Sequence, residues 1–245
     1  MSVILPPGFR LRVENGYDTN IPATAIVHEV LAAVLSVREA TLHVLLWQRA
    51  RAPHAHRWAL PGGVLGARED VRTSMLRQLS EKVDVREVAH LEQLAVFSAP
   101  DRRPGARRIA TAFLGLVPSD ADPRVPPDTR WCPVARLPET AFDHGEIVRG
   151  ARERLQGKLS YTNVGFALAP PRFTISTLRV LYAAALGYDV DPTNLQRFLS
   201  RRGQLVATGG SAPPGPSGGR PASLYRFRSR RLEVTDEFVA FRPPR

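Results

Sequence analysis

The spacing of a few polar residues constrains this chain more strongly than its composition does. A glycine, a glutamate and an arginine are separated by five and by seven residues, and three polar positions follow: Gly63, Glu69 and Arg77, then Gln78, Glu81 and Lys82. Apolar residues at positions 71, 75, 76, 79 and 83 predict a helix over residues 70–83. Positions 78, 81 and 82 then share one helical face, because they stand at i, i+3 and i+4.

The side chains at those three positions decide what the helix face can bind. Glu at all three would supply the anionic oxygens that Mg²⁺ or Mn²⁺ needs beside substrate phosphates. Gln78, Glu81 and Lys82 instead carry a formal charge of zero in total, and the Lys82 ammonium would repel a cation. Metal-assisted hydrolysis would lose its Lewis acid and its activated water. We therefore predict that this helix face provides no metal site and no catalytic residue.

The same spacing resembles the Nudix box, G-x5-E-x7-R-E-U-x-E-E-x-G-U, in which U is apolar. Gln78 and Lys82 stand where that motif has Glu, and Asp84 stands where it has Gly. The frame is kept while the chemistry is changed, so the resemblance implies a degenerate box in a domain that binds a nucleotide without cutting it. Its residues in this chain are Gly63, Glu69, Arg77, Gln78, Glu81 and Lys82.

Composition limits the class of protein. The 245 residues, 43% of them hydrophobic, suffice for two small domains. No apolar run approaches the roughly 20 residues of a membrane helix, and the first residues lack a signal-peptide pattern. Cys132 is the only cysteine, which excludes an internal disulfide and a cysteine-based zinc site. We expect a cytoplasmic bacterial protein that has no membrane partner.

Strand and helix signals alternate through the first part of the chain. Apolar runs at 25–37 and 41–49 predict two strands around a polar turn at 38–40. Proline-rich residues 118–138 predict a loop. This order predicts an α/β fold, an α/β/α sandwich spanning residues 1–160. Its further elements are strands at 58–63, 91–98 and 109–117 and helices at 70–83 and 142–156.

Residues 173–245 predict a different layout after a connection at 161–172. Thr174 is suited to cap a helix over 175–186, which Gly187 would end. A second helix is expected to begin at Asp191 or Thr193 and to run to about Arg202. Two short strands at 204–208 and 223–228 follow, separated by a low-complexity segment rich in Pro and Gly. Helix, turn, helix and a two-stranded wing make a winged helix-turn-helix domain.

The second domain has the charge of a DNA-binding module. Residues 166–245 carry a net charge of +7, against +4 for residues 1–165, which suits a polyanionic partner. Leu195, Phe198 and Leu199 form an apolar stripe that is expected to face the core. Amide and guanidinium groups read base edges and clamp phosphates, although a merely solvated polar face is the alternative. The predicted DNA-binding residues are Thr193, Asn194, Gln196, Arg197, Arg201, Arg202, Arg220 and Arg226.

Both halves together resemble the Nudix-related transcriptional regulators of NAD metabolism, the NrtR family. The resemblance rests on WALPGG at 58–63, PDRRPGAR at 100–107, LSYTN at 159–163 and GRPASLYRF at 219–227. It implies a Nudix-like effector domain followed by a winged helix, in a homodimeric repressor of NAD biosynthesis or salvage genes. The implied partners are a double-stranded DNA operator and an effector, ADP-ribose or a related nucleotide. No cofactor is implied.

By position, several residues are candidates to bind that effector. Arginine forks suit a diphosphate without any metal, and glycine amides approach phosphate oxygens closely. The alternatives are a surface charge for Arg49 and Arg57 and a place in the core for Trp58. Arg77 is expected to pair with Glu69 or Glu81 instead. The effector-binding candidates are Arg49, Arg57, Trp58, Gly62, Gly63 and Arg107.

Two other functions remain open from the sequence. Glu69 and Glu81 survive in the box, so a Nudix hydrolase acting on ADP-ribose or another nucleoside diphosphate derivative is the main alternative. General nucleic-acid binding driven by charge alone is the other, and salt would then weaken binding to all sequences equally.

Overall fold

A seven-stranded mixed sheet organises the first half of the protein. The computed structural model describes residues 26–85, 87–213 and 221–236. The strands stand in the order β3-β2-β1-β6-β5, with β4 paired to β1 and β7 paired to β2. Strands β1 and β6 run parallel, and the other pairs are antiparallel. The strands are β1 Val27–Arg38, β2 Thr41–Gln48, β3 Trp58–Ala59, β4 Gly62–Val64, β5 His90–Phe97, β6 Arg108–Leu116 and β7 Thr129–Pro133.

Strand β1 is covered on both faces, which makes the three layers. Its alternate residues Val30 and Val34 pack with helix α1 (Val71–Val83) in one apolar cluster. Leu31 and Leu35 point the other way and join the cluster that contains helix α2 (His144–Tyr161). Because successive side chains of a strand face opposite sides, a continuous apolar run can bury both faces. The predicted α/β/α sandwich is confirmed.

A winged helix follows the sandwich, as predicted. Thr174 accepts a hydrogen bond from the Thr177 amide at 3.1 Å and so caps the third helix. Gly187 ends that helix in the left-handed conformation at φ 83°, which glycine adopts without a steric penalty. The elements are α3 Ile175–Leu186, α4 Pro192–Arg201, β8 Leu205–Ala212 and β9 Ala222–Phe227, with β8 and β9 antiparallel.

The connection between the two halves is part of the core. Residues 162–169 are all buried, and a short 3-10 helix, Val164–Ala167, forms the middle of this stretch. Phe166 and Phe173 belong to the same apolar cluster as Leu31 of the sheet and Leu178 of α3. The two halves therefore share one continuous hydrophobic core instead of being joined by an exposed linker.

Two sequence predictions about strands were wrong. Residues 129–133 lie in the stretch predicted as loop, yet they form β7 on the edge of the sheet beside β2. A five-residue strand next to prolines has too weak a local pattern to be read, and pairing with β2 decides it. The predicted strand at 58–63 is interrupted at Leu60 and Pro61, giving β3 and β4 as separate short strands.

No helix in the described part of the chain is long and apolar enough to cross a membrane.

Candidate functional site

A polar cleft lies where β1, the β3–β4 loop and the start of α2 meet. Three of the residues predicted to bind an effector line it, namely Arg49, Gly62 and Gly63. The cavity at the centre of this cleft is small, with a volume of about 20 Å³. Four charged or titratable residues that the sequence analysis did not select also line it: Glu29, Arg103, Arg108 and His144.

Three other effector-binding candidates lie outside the cleft lining. Arg57 pairs with Glu139 at 2.7 Å. Trp58 packs against the core, and the Arg130 guanidinium stands 4.1 Å from the centre of its ring. Arg107 donates to the Ser98 carbonyl at 3.0 Å. The predicted segment at 100–107 does supply a cleft arginine, but this residue is Arg103.

Glu29 holds the arginine side chains of the cleft in place. Its carboxylate oxygens lie 2.5 Å from Arg102 Nη1 and 2.5 Å from Arg103 Nη1, and Arg108 approaches to 3.6 Å. Arg102 also makes a two-bond contact with Asp143 at 2.7 and 2.8 Å. One carboxylate shared by three guanidiniums leaves the group net positive, which favours an anionic ligand. A lone Glu in the apolar run of β1 was the sequence signal for this cluster.

The two glycines of the cleft pack tightly against neighbouring elements. A Cβ on Gly62, whose φ is +159°, would stand 2.1 Å from the Val30 carbonyl oxygen. A Cβ on Gly63 would stand 2.6 Å from Nε2 of the Gln78 side chain. The loop therefore lies directly against β1 and α1. Bare backbone at these positions allows a ligand to approach closely.

Arg77 makes the pairs predicted for it and fixes the loop before α1. It binds Glu69 through two bonds of 2.6 and 2.9 Å and reaches Glu81 at 3.0 Å. Hydrogen bonding to Arg77 lowers the pKa of Glu69 to about 2, and the pairing with Glu69 raises the pKa of Arg77. Both surviving box glutamates are thus engaged by one guanidinium.

Lys82 occupies the space between α1 and the cleft loop. Its Nζ donates to the Gly62 carbonyl oxygen at 2.6 Å. Burial, followed by the charge of Arg77, lowers the pKa of Lys82. Gln78 is also buried beside Gly63. Among the described residues there is no group of three or more His, Cys, Asp or Glu side chains that could hold a metal ion.

The second candidate site is the exposed face of α4 and the wing. Asp191 caps α4 by accepting from the Asn194 amide at 2.7 Å, so Thr193 lies inside the first turn instead of at the cap. Arg197 donates to the Asn194 side-chain oxygen at 2.7 Å. Gln196 donates to the Tyr225 hydroxyl of β9 at 3.0 Å and so joins the helix to the wing.

Two predictions for α4 were corrected by the packing. Phe198 was expected to face the core, but it is 38% exposed, whereas Leu195 and Leu199 are buried. Arg202 was expected to face solvent, but it donates to the Ser160 carbonyl and to Asp236, both at 2.5 Å. Its guanidinium also lies 3.9 Å from the centre of the Phe198 ring. A helix of only ten residues has a narrow buried stripe, and the third apolar residue falls outside it.

The remaining predicted DNA-binding residues divide simply. Thr193, Asn194, Arg197, Arg201 and Arg226 are exposed, so these five side chains are accessible to a partner. Arg220 lies outside the described residues.

Comparison with known proteins agrees with both halves. The NUDIX domain model matches residues 27–150, and the NrtR DNA-binding winged helix domain model matches residues 165–227. A protein of Acinetobacter baylyi, described as an ADPR responsive transcriptional repressor NtrR, is 30% identical over 202 residues. That match covers 80% of this chain and 79% of the relative.

Solved structures agree over a similar length. Shewanella oneidensis NrtR in complex with a 27mer DNA has a TM-score of 0.71 and 27% identity, covering 82% of this chain and 93% of that chain. Shewanella oneidensis NrtR in a second crystal structure has a TM-score of 0.73 and 28% identity, covering 82% and 94%. With its Nudix fold, its winged helix and these matches along most of its length, the chain belongs to the NrtR family of Nudix-related transcriptional regulators.

Proposed function

We propose that this protein is a homodimeric repressor of NAD biosynthesis or salvage genes in a bacterial cytoplasm. It binds an operator through α4 and the wing, and ADP-ribose or a related nucleotide releases it. The observation that carries the proposal is that a cationic cleft and a winged helix share one hydrophobic core. The description of the Acinetobacter relative as ADPR responsive and the DNA complex of the Shewanella protein support this choice.

The cleft suits binding without hydrolysis. Arg49, Arg103 and the glycine backbone offer donors for a diphosphate. The Lys82 ammonium lies beside the same loop, where it supplies a positive charge and opposes a metal ion. Without a metal ion, an attacking water is not activated and the leaving phosphate is not neutralised. We infer that the ligand is retained intact and acts as a signal.

Helix α2 is the element suited to carry that signal. It begins at the cleft and, with 18 residues, spans roughly 27 Å. At its far end, Asn163 bonds through its side chain to the Arg231 carbonyl and the Glu233 amide at 2.9 and 2.8 Å. Three residues beyond Glu233, Asp236 holds Arg202 at the end of α4. A shift of α2 therefore has a bonded route to the DNA-binding helix.

This route changes DNA affinity only if the nucleotide binds the two arrangements of the protein differently. In a homodimer on a two-fold operator, a small rotation of each winged helix changes the spacing of the two α4 helices against the half-sites. We propose this loss of spacing as the mechanism of release.

A fluorescence-anisotropy titration tests the proposal. The probe is DNA from upstream of the protein's own gene, with a scrambled duplex as control, at fixed near-physiological salt and with or without ADP-ribose. Specific binding that ADP-ribose reverses is the expected result. Equal binding to the scrambled duplex would indicate charge-driven binding alone, and specific binding without release would remove ADP-ribose as the effector.

The alternative of a Nudix hydrolase is tested on the same sample. Mg²⁺ and ADP-ribose are incubated with the protein, and the appearance of AMP is measured. The proposal predicts that ADP-ribose remains intact while it still releases DNA. Turnover at a typical enzymatic rate of about 1 s⁻¹ or more would favour the hydrolase.

A further inference from the structure

A buried histidine in the cleft has one ring nitrogen with no hydrogen-bond partner among the described residues. His144 is 3% exposed and lines the cleft together with Arg49 and Arg103. Its Nδ1 lies 2.9 Å from the Leu60 amide nitrogen, which donates to it. Nε2 makes no hydrogen bond to any of the residues that the structure describes. A buried polar group that makes no hydrogen bond destabilises the folded protein, so it calls for an explanation.

The protonation of His144 follows from its surroundings. Nδ1 accepts a hydrogen bond, so it carries no proton, and the single proton of a neutral imidazole must lie on Nε2. Burial, followed by the charges of Arg103, Arg102 and Arg49, holds the pKa of His144 well below its usual value. The ring is therefore neutral at physiological pH, and Nε2 is a hydrogen-bond donor with no acceptor in the part of the chain that the structure describes.

The groups around His144 favour an anionic oxygen as that acceptor. The Arg49 and Arg103 guanidiniums lie 4.9 and 4.1 Å from the centre of the Phe142 ring. The centre of the His144 ring lies 5.7 Å from the centre of the same Phe142 ring. His144 is also the first residue of α2, whose N-terminal end is the positive end of the helix dipole. Two guanidiniums, a helix start and an unpaired N–H all favour negative charge in one place.

We propose that His144 is a ligand-contacting residue, whose Nε2–H donates to a phosphoryl oxygen of the nucleotide bound in the cleft. The inference rests on the proposed function, because it assigns a contact to the same ligand. The ligand would then contact the first residue of α2 directly, and α2 is the helix that leads to the winged helix.

Two substitutions separate this contact from a structural role. His144→Asn places an amide oxygen near the Nδ1 position, so the bond from Leu60 is kept while the Nε2 donor is lost. His144→Gln places an amide N–H2 near the Nε2 position and restores a donor. His43→Asn is the matched control, because His43 is a buried histidine of β2 that does not line the cleft. All three variants are first checked for an unchanged melting temperature and unchanged DNA binding without ligand.

Calorimetric titration with ADP-ribose provides the readout. We expect His144→Asn to weaken binding about tenfold or more, His144→Gln to recover most of that loss, and His43→Asn to match the wild type. Wild-type affinity in His144→Asn would overturn the assignment while leaving the proposed function intact. If the wild type itself does not bind ADP-ribose, the proposed effector fails, and the same comparison is made with inorganic pyrophosphate. Weaker pyrophosphate binding by His144→Asn would then support the contact, and equal or absent binding would overturn it.

Discussion

Lys82 and Gly62 are joined by a hydrogen bond of 2.6 Å from the lysine Nζ to the glycine carbonyl oxygen. This bond brings a cationic side chain of α1 to the loop that lines the ligand cleft. The ammonium is largely withdrawn from water, and its pKa is lowered mainly by that burial. A fixed charge of this kind can attract phosphate without a metal ion, which distinguishes this box from one that carries three glutamates.

We expect the double substitution Gln78→Glu and Lys82→Glu to introduce metal dependence. Three carboxylates at 78, 81 and 82 would recreate a Mg²⁺ site, and ADP-ribose hydrolysis should rise at least about tenfold over the wild type. The measurement is AMP release with Mg²⁺ and with a chelator, and Glu81→Gln on the double variant is the control. Wild-type hydrolysis as fast as that of the double variant would refute the degenerate-box interpretation.

The Glu69–Arg77 pair predicts a loss of stability in acid. The pKa of Glu69 is lowered to about 2 in the folded protein from an ordinary value of 4.5. The contribution of the ionised Glu69 to the free energy of unfolding is therefore complete above pH 4.5 and is lost as the pH falls towards 2. Glu69→Gln should lower the melting temperature at pH 7 and flatten its decline between pH 4.5 and 2.

Glu92 provides the comparison for that experiment. Burial raises its pKa, but bonds from His90 and Lys158 outweigh this effect and lower the pKa to about 2. Glu92→Gln should therefore also flatten the decline of the melting temperature between pH 4.5 and 2. The two substitutions together should flatten this decline further. A Glu69→Gln variant that keeps the full wild-type slope would show that this carboxylate does not contribute.

Adjacent arginines at the end of α4 should behave differently. Arg201 is exposed, so Arg201→Ala should leave the melting temperature unchanged and weaken DNA binding. The dependence of DNA affinity on salt concentration should also fall by the contribution of about one phosphate contact. Arg202 bonds to Ser160 and Asp236, so Arg202→Ala should destabilise the fold by about 1–3 kcal/mol. Thermal denaturation and salt-dependent anisotropy measure the two effects, and the reverse pattern would contradict the structure.

Arg197 and Asn194 should not act independently. Each should cost about 1–3 kcal/mol of DNA binding when replaced by Ala if it makes a specific base contact. Because Arg197 donates to the Asn194 side chain at 2.7 Å, a double-mutant cycle should give a coupling of at least about 0.5 kcal/mol. Equal losses on operator and random DNA would instead assign both residues to phosphate contacts.

Asn163 should be important for both stability and signalling. It is buried, and its amide bonds to the backbone of residues 231 and 233. Asn163→Ala should destabilise the protein by about 2–4 kcal/mol, because two buried bonds are lost, and it should expose the C-terminal segment to protease. Ser229→Ala is the control, since the bonds of Ser229 to other described residues are confined to Arg231 in its own segment. If release by ADP-ribose is unchanged in a folded Asn163→Ala protein, the proposed route from α2 through Asn163 is wrong.

The sequence determined the features that depend on local pattern. Periodicity identified α1, Thr174 and Gly187 marked both ends of α3, and Asp191 marked the start of α4. The spacing of the box also predicted the pairing of Arg77, because residues 69, 77 and 81 are close along the chain and share a loop–helix unit. Such features follow from the backbone geometry of neighbouring residues and need little information from elsewhere in the fold.

The tertiary structure decided which residues meet from distant parts of the chain. Glu29, Arg103 and His144 meet in the cleft although more than 40 positions separate each from the next, and no local pattern encodes that meeting. Arg57 and Arg107 have the same chemistry as Arg103, yet their partners Glu139 and Ser98 keep them outside the cleft lining. For Arg202, packing against residues 160 and 236 turned an expected DNA contact into an internal one. Local sequence fixes residue type and helical face, whereas burial and charge pairing across the fold fix where each side chain binds.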